Sequence, residues 1–131
     1  MMYNEVVESC FFAPQHVGIL DLSQPLTAHF RGGEVGRGDV FDVYLLSNKQ
    51  GLIIKARFKA YGNPYLIAAA EWLCRQLEGS FVYEHPRFKY TELVQELAIP
   101  KTRYPVALQI EDGYRELVTK LETALKGEPN E

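Results

Sequence analysis

The sequence predicts a two-layer α+β sandwich, a three-stranded antiparallel sheet with helices packed on one face. Two observations carry that expectation. Hydrophobic alternation with period two dominates residues 27–61, and a helical period replaces it from Asn63 onward. Strands first and helices after, each with one apolar face, bury those faces only by stacking a helical layer on a sheet. The length of 131 residues sets one core, expected over residues 1–126, with 127–131 as a flexible polar tail.

Asn4 is placed to cap a short helix whose apolar side is Val6, Val7, Cys10 and Phe11 and which ends before Pro14. Residues 14–25 contain two prolines and Gly18 and read as an irregular connection. Three strand segments follow, at 27–31, 40–47 and 52–61, the last two joined by the hairpin loop Ser47-Asn48-Lys49-Gln50-Gly51. In the third, alternation points Ile54, Ala56, Phe58 and Ala60 inward and Lys55, Arg57 and Lys59 outward. Asn63-Pro64 is an N-cap followed by proline at the first helical position. Leu66, Ile67, Ala70, Leu73, Cys74 and Leu77 then share a stripe that Gly79 can close. A shorter helix over 90–98 buries Leu93, Val94 and Leu97 and stops at Pro100. The last runs over 105–126 on Ala107, Ile110, Tyr114, Leu117, Leu121 and Ala124.

Composition narrows function. With 14 basic against 17 acidic side chains and a net charge of −3, the chain has no global field for nucleic acid. No stretch approaches the ~18 apolar residues of a membrane span, and no basic start leads into an apolar run, so the cytoplasm is the expected compartment. Two cysteines fall short of a Cys₃ or Cys₄ metal site. Cys74 reads as a small core residue, and Cys10 as a similar one whose place near the N-terminus favours more exposure. His16, His29 and His85 have no metal-ligand spacing and read as surface or strand residues. Residues 31–39 carry four glycines but no Gly-Lys-Ser/Thr, and a strand follows them, so they form a turn and not a phosphate loop. No nucleophile–base arrangement is visible, and no enzyme is expected. One positional hint remains. The Gly-rich turn, the Gly62-Asn63 junction and the start of the last helix are expected to converge at one end of the sheet, made basic by Arg37, Arg57, Lys59, Lys101 and Arg103.

Several motifs, in order, are similar to one family. Tyr3-Asn4-Glu5 with Pro14 and Val17-Gly18, then Val35-Gly36 and Gly38-Asp39-Val40, precede Ala56-Arg57-Phe58-Lys59-Ala60-Tyr61-Gly62 and Glu96-Leu97-Ala98-Ile99-Pro100. Over roughly residues 3–125 the chain resembles iron–sulfur cluster scaffolds of the IscU and NifU N-terminal-domain type. The resemblance implies assembly of a [2Fe–2S] cluster on three cysteines with a nearby aspartate or histidine. Its sulfur would come from a cysteine desulfurase, and a chaperone pair would assist release. The carry-over breaks at those ligands. Arg37, Asn63 and Val106 stand at the cysteine positions, Pro105 at the neighbouring histidine, and Asp39 alone survives as a weak metal donor. Ile99-Pro100-Lys101-Thr102-Arg103 keeps only part of the chaperone-recognition segment.

The expectation is therefore a scaffold-like protein that holds no cluster by its own cysteines and carries no cofactor in isolation. It would act by protein–protein interaction, as an accessory or regulator of cluster assembly, with Arg37, Arg57, Lys59, Lys101 and Arg103 as partner or anion contacts. The alternative is a small anion- or metal-binding protein using the altered, locally basic site.

Overall fold

A computed structural model describes residues 3–34, 38–84 and 87–127. Helix α1 (Glu5–Phe12) precedes strands β1 (Thr27–Glu34), β2 (Asp39–Ser47) and β3 (Ile53–Tyr61). Helices α2 (Pro64–Leu77) and α3 (Tyr90–Leu97), a 3₁₀ turn at Lys101–Arg103 and helix α4 (Tyr104–Gly127) follow. The strands form one antiparallel sheet in the order β1-β2-β3. Helices α2 and α4 cover one face of it, as the change of period implies.

Burial follows the pleat in β2, where Phe41, Val43 and Leu45 are fully buried between half-exposed neighbours. In β3 the alternation fails at its start. Ile54, expected inside, is 44% exposed, and Ile53 is fully buried. The register explains this: Leu46 faces Lys55, but Ser47 faces Ile53, so Ile54 is the extra residue of a bulge. Ile53 is pulled inward by two backbone bonds to the chain leaving α2. Its N–H donates to the Ser80 carbonyl, and its carbonyl accepts from Gly79 N–H, both at 2.8 Å.

Helix α2 is the centre of the molecule. The expected stripe is buried apart from the half-exposed Ile67, but Tyr65, Ala68, Ala69, Glu71 and Trp72 are buried as well, because α1, α3, α4 and the sheet surround this helix. Three alanines in succession let those neighbours approach closely. In α1, Val7 and Cys10 are fully buried; Cys10 is a core residue like Cys74, without the added exposure its position favoured, because α1 packs on α2. In α4 the expected register holds through Leu121, with Ala124 half-exposed.

The connection between α1 and β1 also shapes the sheet. Phe58 N–H donates to the His16 carbonyl at 2.9 Å, and Gly18 N–H donates to the Phe58 carbonyl at 2.8 Å. This strap therefore runs parallel to β3 at one point and covers its outer edge.

Candidate functional site

The strand-to-helix junction after β3 brings together Asp39 and Asn63. The Asn63 backbone N–H donates to Asp39 Oδ1 at 3.1 Å, and its side-chain amide donates to Oδ2 at 3.3 Å. The Asn63 side-chain oxygen faces the other way and accepts from the N–H groups of Tyr65 and Leu66 at 2.9 and 3.1 Å. This is the N-cap expected from Asn-Pro, satisfying two of the orphan donors of the first turn. Gly62 between them has φ +144°, and a Cβ there would lie 2.0 Å from Asp39 Oδ1. Only glycine lets the carboxylate sit this close to the chain.

Among the described residues, none of the others expected at this end bonds to the Asp39–Asn63 pair. Val106 is buried in the hydrophobic core on α4. Arg37 lies outside the described residues, as does His85. Lys101 and Arg103 are exposed on the 3₁₀ turn, and among the described residues neither makes an ion pair or hydrogen bond to Asp39 or Asn63. Lys59 is exposed and faces Asp42 in the register. Arg57 does not line this end at all. Its guanidinium donates to Glu78 Oε2 at 2.7 Å, beyond the C-terminus of α2, some ~20 Å of helix from the Asn63 cap.

Neither cysteine substitutes as a ligand. Both are free and buried. Burial is the main cause that pushes the Cys74 thiol well above its ordinary value, and the Glu71 and Glu78 carboxylates add to it. Burial raises Cys10 too, partly offset by Arg75. Both are therefore neutral thiols, poor nucleophiles and poor metal donors. Among the described residues, no group of three or more His, Cys, Asp or Glu is arranged to hold a metal ion.

A polar cluster that the sequence did not suggest lies at the opposite end of α2. His16, read as a surface or strand residue, is only 8% exposed. Its Nδ1 lies 2.7 Å from Glu71 Oε2, and its Nε2 lies 3.0 Å from Glu78 Oε1. Both ring nitrogens donate only when the imidazole carries two protons. Glu71, fully buried, also accepts from the backbone N–H groups of Gln15 and His16 at 3.0 Å and from Arg75 Nε at 2.8 Å. His29, by contrast, is the expected strand residue, bonded to Asp42 across the sheet at 2.7 Å.

Glu78 gives this cluster a pH signature. Burial alone raises its carboxyl, but hydrogen bonds from the Ala56 amide, Arg57 and His16 outweigh that and hold it below the usual value. A depressed folded pKa means stability that is present above the ordinary glutamate range and lost as pH falls through the folded value. Urea unfolding followed by the fluorescence of Trp72 will show stability declining on the acid side, and Glu78→Gln will flatten that decline. An unchanged acid slope in the variant sinks the assignment.

The chain matches known proteins over nearly its whole length. The model of the NifU-like N terminal domain matches residues 2–123. The iron-sulfur cluster assembly scaffold protein IscU of Azotobacter vinelandii is 30% identical over 118 residues, covering 90% of this chain and 92% of that protein. IscU of Escherichia coli K12 is 28% identical over 115 residues, covering 88% of this chain and 90% of its own length. Among solved structures, a nitrogen-fixing NifU-like protein (N-terminal) from Brucella abortus superposes with a TM-score of 0.65. It is 16% identical and covers 92% of this chain and 94% of its own, a likeness of fold. The order of motifs, the three-stranded sheet with its helical layer and the matches to IscU agree: the chain belongs to the NifU-like N-terminal domain family of iron–sulfur cluster assembly scaffolds.

Proposed function

We propose that this chain is a member of the assembly-scaffold family that holds no cluster through its own cysteines and acts by protein–protein contact. Its role is that of a non-enzymatic, cytoplasmic accessory or regulator, docking on a cysteine desulfurase or another assembly component. The observation that supports this most directly is the engagement of Asp39 with Asn63. The surviving ligand is bonded twice to the residue that stands in a cysteine's place, and that residue's own oxygen caps α2. A [2Fe–2S] cluster needs several soft thiolate donors. At the positions where the family carries its ligands the sequence offers one carboxylate, one amide and the apolar Val106, with Arg37 a permanent cation without an acceptor atom. That set does not fit a cluster.

A reading as an anion or metal site finds less support here. Asp39 brings negative charge to the junction, its oxygens are engaged, and Arg57 is tied to Glu78.

Anaerobic incubation with ferrous iron, sulfide and a desulfurase will leave the chain without visible absorbance after desalting, and with iron well below one atom per chain. A desulfurase column will retain it without iron. Stoichiometric cluster binding overturns the first half of the proposal, and failure to be retained overturns the second.

A further inference from the structure

The segment 87–89, which leads into α3, is fixed against α4 and α2 by aromatic contacts. Phe88 is buried, stacks on Tyr114 of α4 with ring centroids 4.2 Å apart, and meets Trp72 of α2 edge-on at 5.1 Å. Arg87 and Lys89, on either side of it, are exposed. The buried carboxylate of Glu111 joins the same elements. It accepts from the Tyr90 N–H at the start of α3 and pairs with Arg115 one turn along α4.

Between these elements lies a cavity of about 290 Å³, lined by Arg87, Phe88, Lys89, Glu92, Tyr114 and Arg115. That volume is at the lower end of the roughly 300–1,000 Å³ of small-molecule sites. The two buried rings give it a rigid aromatic floor, and three cations stand around it against the single carboxylate Glu92. Arg115 is partly neutralised by Glu111. Among the described residues no carboxylate pairs with Arg87 or Lys89, in a chain whose net charge is −3. The cationic field reaches the floor. Burial is the main cause that raises the Tyr114 phenol above its ordinary value; Arg87 and Arg115 oppose that rise, and Glu122 and Glu92 add to it.

We propose that this cavity binds a small phosphate monoester. Two guanidinium forks and one ammonium match the oxygens of a phosphoryl group, and Glu92 is placed to accept from a hydroxyl of the organic part. A simple carboxylate would satisfy one fork and leave the other cations unmatched. An organic cation would face three positive side chains and one carboxylate. A helix of a protein partner, about 10 Å across with its side chains, is too wide for this volume. The site shares no residue with the Asp39–Asn63 pair, and the inference is independent of the cluster chemistry.

The test is a titration of the isotopically labelled full chain with glycerol phosphate, read by amide chemical shifts. Shifts will gather on residues 87–92 and 111–119 and weaken as salt is raised, and glycerol alone will leave them unmoved. An Arg87→Gln/Lys89→Gln variant, both positions being exposed, will bind about tenfold more weakly or worse. Lys49→Gln/Lys55→Gln removes the same charge from exposed positions outside the lining and will bind as the unaltered chain does. A phosphoserine peptide will bind more weakly than the small ester, because its flanking chain has no room in the cavity. Absence of shifts, shifts on another surface, an equal loss in the two variants, or a phosphopeptide bound as tightly as the ester would overturn the proposal.

Discussion

Glu71→Ala will lower the melting temperature by about 10–20 °C, corresponding to a loss of about 3–5 kcal/mol. The substitution removes the acceptor for two backbone N–H groups, one imidazole nitrogen and one guanidinium nitrogen, from a position with no exposure. Those donors cannot turn to water without unpacking the strap from α2, so most of the loss is the cost of leaving them unsatisfied. Glu71→Gln separates the contributions. It keeps an oxygen for the Gln15 and His16 amides but presents an amide donor to His16 or Arg75, and its loss should be intermediate. Thermal unfolding followed by circular dichroism measures both. An Ala variant within about 1 kcal/mol of the parent would show that the cluster is dispensable.

The second large effect is expected at Gly62→Ala, with a loss of about 2–4 kcal/mol. The added Cβ meets Asp39 Oδ1 at 2.0 Å and the Asp39 Cα at 3.1 Å, at a φ that side-chain-bearing residues rarely adopt. The short Asp39 side chain cannot swing away without giving up both bonds to Asn63, so the insult spreads to the α2 cap. A double-mutant cycle isolates this. In an Asp39→Ala background, Gly62→Ala should cost less by at least about 1 kcal/mol, since the oxygen it strikes has gone. Strict additivity would place the damage in the backbone alone.

These two sites differ in how legible they were. The α2 cap was readable because its signal is local, Asn-Pro at a change of period, whereas Asp39, 24 residues back, came into view only through the expected convergence of the Gly-rich turn with the junction and through the resemblance. The His16–Glu71–Glu78 cluster was not, since His16 lies 55 and 62 residues from its partners and no spacing rule spans that distance. Glu71, within an apolar helix, was the available hint; a charged residue facing inward needs partners, and of these only Arg75 stands at a local spacing, i,i+4. Arg57 was assigned to the wrong end for the same reason, because its partner comes from beyond α2. Ile54 misled differently. Alternation is exact only in an unbroken strand, and the bulge at Ile54 has no sequence mark of its own. The three-stranded sheet, the helical layer and most of the core came through because they rest on period and one hairpin loop.

The strap has a consequence for the order in which the molecule can be assembled. Residues 4–18 are synthesised before everything they bind: Asn4 donates to the Glu96 carbonyl, α1 lies on α2, His16 meets Glu71 and Glu78, and Gly18 meets Phe58. On a growing chain these fifteen residues meet Phe58 only once β3 has emerged, Glu71 and Glu78 only with α2, and Glu96 only with α3. The strands and α2 are therefore all synthesised before the segment can complete its contacts, and the outer edge of β3 is bare for that interval. The early segment then closes over it last, as a seal applied to a finished sheet.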